Sequence, residues 1–389
     1  MTPNPIDPDL VPTVAEGWIN SGGRHPEGCQ LCIQGMKMVY FMGGDCSNPS
    51  HCRWYCPISS ERKPANAHFA DELPIPNPES LGETLKILMY EARAIGAEGM
   101  SFTGGDPLST PRKVNQVCAI IHAMKIEFGN TFHCHLYTSG VTFNSLTAEK
   151  LHRAKLDALR FHPAEKDFPK IQLAMGYHYT VGAEVPVIPT EKNHEYLLNL
   201  ADYLASIGAD YLNLNEFEMC APNQVSLLSQ GFELASATAA TVKGSREYAL
   251  RFLSEFTQKS VLTVHFCPVA LKDSVQIRKR YIRRAEHIKY DYEEISVDGC
   301  LLFLRVQGSA QEISRLYTEL LEEAHMPDKL LGYFPTKGIL DVPPFLSDDD
   351  TFLALLTTYK VKAGVYETLP FREPKLAQIR EYSPIQEEV

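Results

Sequence analysis

The sequence predicts an α/β protein: a (β/α) barrel, closed or partly closed, followed by a small α+β domain. Two observations carry this. From Met38 to Asn215, short apolar runs of strand character alternate with helix-spaced segments, at about 30 residues per unit. That is the rhythm of parallel strands joined by covering helices. After residue 280 the texture changes to a basic helical stretch, a hairpin and a further helix. The expected divisions are a Cys-containing leading segment over 1–38, the barrel over 39–285 and the small domain over 286–389.

Taken in order, residues 1–38 read as irregular, because Pro3, Pro5, Pro8, Pro12, Gly22, Gly23 and Pro26 interrupt any long periodic pattern. Met38–Met42 is a short apolar strand, followed at once by a cysteine-rich loop. Residues 64–79 read as a loop marked by Pro and Asn. Leu81–Ile95 is a helix with Leu85, Leu88, Met89 and Ala92 on one face, and Gly99–Phe102 a strand running into Thr103-Gly104-Gly105-Asp106-Pro107. Residues 111–128 form a helix, Phe132–Thr138 an alternating strand, and Thr147–Ala154 a helix capped by Ser145 or Thr147. Strands at Ala158–Phe161, Tyr179–Ile188 and Tyr211–Asn215 alternate with helices over 166–176 and His194–Ile207. In the small domain, residues 293–306 read as a hairpin turning at Asp298-Gly299, with a helix over 310–325 and a charged, peripheral tail from Glu373.

Composition narrows the function. The chain has 389 residues, 44% apolar and 22% charged, with a net charge of −11. This is ordinary globular composition, and the acidic balance argues against a generic nucleic-acid or anionic-membrane binder. No apolar run approaches the roughly 18 residues a membrane helix needs. The Pro-rich start has no signal-peptide pattern, so a cytoplasmic protein is expected. The cluster Arg278, Lys279, Arg280, Arg283 and Arg284 reads as a solvated helix face, with RNA or a phosphate-bearing substrate as the minority reading.

The cysteines are the unusual feature. There are ten, and Cys29, Cys32, Cys46, Cys52 and Cys56 fall within the first 56 residues. In a reducing compartment such crowding points to metal or redox chemistry. Cys46, Cys52 and Cys56 share one loop. Three thiolates there suit either zinc or three irons of a 4Fe–4S cube with the fourth iron open, and His51 is a competing ligand. Cys29-x2-Cys32 has metal-pair spacing, and His265 and Cys267 supply the right partners for a second site, with zinc, iron or an auxiliary cluster as the options. Cys118, Cys134 and Cys300 read as packing residues, while Cys220 lies near the expected barrel mouth.

Cys46-x5-Cys52-x3-Cys56, with Trp54-Tyr55 before the last cysteine and Pro57 after it, resembles the cluster loop of the radical S-adenosylmethionine superfamily, although its spacing is wider than usual. Thr103-Gly104-Gly105-Asp106-Pro107 resembles that superfamily's Gly-Gly-Glu-Pro segment, and His135–Gly140 the strand ending in Thr-Asn-Gly. The resemblance spans about residues 36–220 and is nearest to largely archaeal proteins related to the pyruvate formate-lyase activating enzyme. It implies a radical-SAM-type barrel and a 4Fe–4S cluster on Cys46, Cys52 and Cys56. It also implies S-adenosylmethionine held through Gly104, Gly105 and Asp106, with Trp54 or Tyr55 near the adenine. Thr138, Ser139, Glu184, Asn213 and Asn215 are further cofactor candidates. An electron donor such as ferredoxin or flavodoxin is implied, and the substrate is left open among polypeptide, metabolite, lipid and RNA. Glu184 also reads as an ordinary salt-bridge partner, and Arg160 either contacts a carboxylate at the site or is an ordinary surface arginine. The competing function is a non-catalytic zinc or iron–sulfur protein with metals as folding staples.

Overall fold

The computed structural model describes residues 18–19, 24–46, 50–235, 240–256 and 262–385. The Pro-rich start through residue 17 and Ser47–Pro49 of the cysteine loop lie outside the described residues. The chain divides into two compact units, 1–93 with 97–277, and 94–96 with 278–389.

In the first unit the elements are β1 (Trp18–Ile19), α1 (Glu27–Ile33), β2 (Lys37–Met42), β3 (His68–Ala70), β4 (Leu73–Ile75), α2 (Leu81–Ala94), β5 (Gly99–Thr103), α3 (Pro111–Phe128), β6 (His133–Thr138), α4 (Ser145–Arg153) and β7 (Ala158–Phe161). A 3₁₀ stretch (Glu165–Ala174) leads to β8 (Thr180–Val187), α5 (Glu191–Ser206), β9 (Tyr211–Glu216), α6 (Gln224–Ser229), α7 (Ser245–Phe256), β10 (Thr263–Cys267) and α8 (Val269–Leu271), which continues as a π turn (Lys272–Ile277). The strands form one ten-stranded sheet in the order β1-β10-β9-β8-β7-β6-β5-β2-β3-β4. From β2 to β10 along that order the pairings are parallel, and the sheet ends in an antiparallel strand at one edge and a hairpin at the other. Having two edges, it is a partial barrel.

The two faces of this sheet differ sharply. Met38, Tyr40, Met100, Phe102, Leu136, Leu159, Phe161, Ala183, Leu212, Leu214 and Phe266 are fully buried or nearly so, and they alternate with residues of the other face. That other face carries Lys37, His133, His135, Tyr137, Arg160, Glu184, Asn213, Asn215, His265 and Cys267, placed side by side by the register. Parallel strands covered on both sides usually read as continuous apolar runs. Here the alternation in β6, β9 and β10, with Arg160 and Glu184 between them, marks one face built for polar chemistry. Helix α1 lies on it: a Cβ at Gly28 would come within 2.6 Å of the His135 ring and 3.1 Å of the Arg160 guanidinium.

Several local expectations need correction. The leading segment is not wholly irregular, since α1 forms over residues 27–33 and carries Cys29 and Cys32. Pro26 precedes it, where a proline does not break a helix. Residues 64–79 contain the β3–β4 hairpin, too short to show a periodic signal. The cap of α4 is Asn144, whose side chain accepts from the Thr147 amide at 3.0 Å, rather than Ser145 or Thr147.

In the second unit are α9 (Arg278–Ile288), β11 (Glu294–Ile295), β12 (Leu301–Gln307), α10 (Ala310–Thr318), β13 (Gly332–Phe334), β14 (Ile339–Val342), α11 (Asp350–Tyr359), β15 (Lys362–Thr368) and β16 (Ile379–Pro384). They form an antiparallel sheet in the order β13-β14-β12-β15-β16, with β11 on β12. Ile313, Leu316, Phe352 and Leu356 of the helices pack on Leu304, Val306, Leu340 and Val342. The tail after Glu373 is peripheral, as expected, and its β16 adds an exposed edge strand to β15. The basic cluster is not wholly solvated: Arg284 is buried, lies 4.3 Å from the centre of the Phe371 ring and donates to the Pro370 carbonyl.

Candidate active site

The cysteine loop leaves the C-terminal end of β2 and is tied by backbone hydrogen bonds to the end of β5. The Gly105 amide donates to the Gly43 carbonyl at 2.7 Å, and the Asp106 amide to the Asp45 carbonyl at 2.9 Å. This close approach is why glycines stand here. A Cβ on Gly104 would lie 2.5 Å from the Gly43 oxygen, and one on Gly105 only 1.9 Å from the Asp45 oxygen. The two motifs are therefore one structure, and Lys113 fastens it further through an ion pair to Asp45 at 2.6 Å.

Asp106 is almost completely buried. Its carboxylate accepts from the Leu108 amide at 2.9 Å, the Thr138 hydroxyl at 3.0 Å, the Ser139 amide at 3.1 Å and the Ser139 hydroxyl. The structure thus brings Asp106, Thr138 and Ser139 together, with the carboxylate bracing the end of β5 against the end of β6.

Two of the loop thiols, Cys46 and Cys52, are shifted by their surroundings. Desolvation pushes the Cys46 thiol up to about 12, and Cys52, Asp106 and Cys56 add to it. Burial also raises Cys52, opposed by the Ser50 hydroxyl 3.1 Å away and reinforced by Cys56. Crowded thiols that resist ionisation next to one another are what a polynuclear cation cluster neutralises. The donor chemistry therefore fits an iron–sulfur cluster. Among the described residues, no group of three His, Cys, Asp or Glu side chains is closed at metal-ligand distance. His51 is turned to another partner, stacking on His162 with ring centres 5.2 Å apart.

Beside the loop lies a cavity of about 730 Å³ whose wall includes His51, Trp54, Tyr55, His162, Tyr196 and Phe232. Trp54 stacks on Phe232 and meets Tyr55 edge-on. The Tyr55 hydroxyl donates to His162 Nε2 at 2.9 Å, and His162 Nδ1 donates to the Glu184 carbonyl at 2.9 Å. Burial lowers the His162 pKa and raises that of Tyr55, so both stay neutral and the relay holds. Neither the relay nor His162 was legible in the sequence, because residues 55 and 162 meet only through the sheet. Cys220 lies at the same end of the sheet. Its amide and thiol contact Asn223, whose side chain donates to the Tyr55 carbonyl at 3.0 Å.

On the polar face, Arg160 is buried and its Nη1 meets Glu184 at 2.6 Å. Arg160 is thus not a surface arginine. Asn213 and Asn215 donate to the same carboxylate at 3.1 and 3.0 Å. Burial works to raise the Glu184 pKa, but Arg160, the two amides and Lys37 outweigh it and hold it at about 2. Arg160 Nη2 and Asn213 Nδ2 each also reach the Cys29 thiol at 3.3 Å. Cys134 and Cys300 are buried, and Cys118 is half-buried with its thiol toward the Lys150 carbonyl. No helix among the described residues is long and apolar enough to cross a membrane.

No protein-family model matches the chain. It is 34% identical over 336 residues to the Methanocaldococcus jannaschii protein named "Putative glycyl-radical enzyme activating enzyme MJ0021", covering 83% of each chain. Among solved structures it resembles Streptococcus suis SuiB bound to its precursor peptide SuiA (12% identity, 70% of this chain and 61% of that one, TM-score 0.42). It also resembles the radical S-adenosylmethionine methyltransferase TsrM of Kitasatospora setae (13% identity, 52% and 40%, TM-score 0.35). With the extensive match to the M. jannaschii protein and both motifs joined at one end of a partial (β/α) barrel, the chain belongs to that protein's family within the radical S-adenosylmethionine enzymes.

Proposed function

We propose that Cys46, Cys52 and Cys56 hold a 4Fe–4S cluster and that S-adenosylmethionine binds across the end of β5 and the aromatic cavity beside the loop. The observation that carries this is the backbone stitch from Gly105 and Asp106 to Gly43 and Asp45, which brings the cysteine loop and the Gly-Gly-Asp-Pro strand end together. When bound, cluster and cofactor supply reductive cleavage of the sulfonium to methionine and a 5′-deoxyadenosyl radical, which takes a hydrogen atom from the substrate.

The chain's own residues bind and orient. Backbone carbonyls of Gly104 and Gly105 would accept from the methionine ammonium, at the turn whose glycines let it pack directly under the cysteine loop. Asp106 acts on this site through bracing, since its oxygens are engaged with Leu108, Thr138 and Ser139. Trp54 and Tyr55 face the adenine in a cavity large enough for a nucleoside. Glu184, Asn213 and Asn215 form a hydrogen-bonded group with Arg160 on the polar face, tied to the aromatic wall through the bond from His162 to the Glu184 carbonyl. The reducing electron comes from a donor of the ferredoxin or flavodoxin class. The relative's name makes a polypeptide glycine the first substrate to try.

Anaerobic reconstitution tests the assignment. About four iron and four sulfide per chain are expected, with 5′-deoxyadenosine formed on adding dithionite and S-adenosylmethionine. A fully loaded protein that cleaves none of the cofactor overturns it, as does iron content unchanged by Cys46→Ala, Cys52→Ala and Cys56→Ala together.

A further inference from the structure

Four metal-binding side chains that the proposed cluster does not use gather in one region of the first unit, linked through shared neighbours. Cys29 and Cys32 stand three residues apart on one face of α1. His265 and Cys267 stand two apart on β10, on the polar face of the sheet. The pairs are joined by contacts. Asn213, the register neighbour of His265, donates to the Cys29 thiol at 3.3 Å. Gln276 accepts from the Cys32 thiol at 2.9 Å and directs its amide nitrogen to the Cys267 sulfur at 3.8 Å.

The independent sign of a ligand is His265. It is 2% exposed, and neither of its ring nitrogens has a hydrogen-bond partner among the described residues. The His25 ring meets it edge-on at 4.6 Å. A buried imidazole with no hydrogen bond costs free energy, which metal coordination through one nitrogen would offset.

We propose that Cys29, Cys32, Cys267 and His265 form a second metal site, for one thiophilic divalent cation of the zinc class. Three sulfurs and one imidazole are a tetrahedral zinc set. Three thiolates on a dication leave one net negative charge; Arg160, which donates to the Cys29 sulfur at 3.3 Å, already faces Glu184, and Lys37 beside the same thiols supplies the further positive charge. Uptake breaks three S–H bonds, forms three metal–sulfur bonds and releases three protons to solvent. The donors do not close on one point in this arrangement, and the Gln276 side chain bridges two of them, Cys32 and Cys267. Gln276 sits in the π turn Lys272–Ile277, a rare geometry frequent at functional sites, and its side chain has to leave the two thiols for both to bind one ion.

The test counts zinc on full-length protein. One sample is reconstituted until its iron and sulfide are complete. A second carries Cys46→Ala, Cys52→Ala and Cys56→Ala, so that failure of the cluster assignment is seen separately. After chelator treatment and dialysis against zinc ions, both should retain about one zinc per chain, with X-ray absorption showing sulfur at about 2.3 Å and nitrogen at about 2.0 Å. His265→Ala and Cys267→Ser should each weaken retention at least tenfold. Gln276→Ala should strengthen it, a sign no misfolded variant mimics. Zinc well below one per chain in both samples overturns the proposal. So does retention unchanged in the Cys29→Ala, Cys32→Ala double variant, or Gln276→Ala binding no tighter than wild type.

Discussion

The Arg160 guanidinium and the Glu184 carboxylate meet at 2.6 Å on the polar face of the sheet, with Arg160 only 1% exposed. Two amides and a thiol complete the cluster around them. Removing one partner of a buried pair leaves the other charge uncompensated. Glu184→Gln should therefore destabilise the fold by about 3–5 kcal/mol, measured by denaturant unfolding at neutral pH. A loss under 1 kcal/mol would mean the pair is solvated.

The Tyr55–His162 bond orients an aromatic wall of the cavity. Tyr55→Phe keeps the ring and removes the donor, a change of about 1 kcal/mol, or about fivefold in affinity. S-adenosylmethionine binding by equilibrium dialysis should weaken by that factor while iron content stays the same. Unaltered affinity would place the cofactor away from this wall.

Gly105→Ala puts a Cβ 1.9 Å from the Asp45 oxygen, so the cysteine loop must shift. The expected result is loss of more than half of the reconstituted iron, with at most about 1–3 kcal/mol of stability lost to overpacking. Gly129→Ala is the control. Its Cβ meets nothing within 4 Å, so although the positive φ costs some stability, iron should be retained.

Burial lowers the pKa of His68 and of His133 from 6.5 to about 4. A depressed histidine pKa means that the folded state holds the neutral ring, so its stability is fully present above pH 6.5 and lost as pH falls toward 4. His68 is held by the Tyr40 hydroxyl at 2.8 Å and by the Ala65 carbonyl at 3.2 Å. Unfolding midpoints taken between pH 7 and 4.5 should fall in wild type. His68→Asn should reduce the slope by one proton, and an identical slope would show that His68 is already charged when folded.

Much of the architecture is legible in the sequence, because strands and helices announce themselves by local periodicity. The apolar faces of α2 to α5 and the alternation in β6 fall within single segments. The cysteine loop and the Gly-Gly-Asp-Pro turn were readable for the same reason, each being a contiguous run whose residue types suit one chemistry. The β3–β4 hairpin and α1 were missed because three strand residues or seven helical ones give no periodic signal. Asn144 is a good capping residue, but the apolar periodicity of α4 starts only at Thr147, two residues past the true helix start at Ser145.

What the sequence by itself determined is the inventory: a barrel rhythm, a three-thiol loop, a glycine turn and a spare Cys-x2-Cys pair. Only the tertiary structure decided the partners. It buried Arg160 against Glu184, turned Asp106 inward as a brace, joined Tyr55 to His162, and laid α1 on the polar face so that Cys29 reaches Arg160 and Cys32 shares Gln276 with Cys267. Apart from the Gln276–Cys267 contact, nine positions apart, those contacts join residues from 24 to 244 positions apart. They follow from strand register and helix docking, which are set by the summed burial of the whole sheet and leave no trace in the spacing of any one segment.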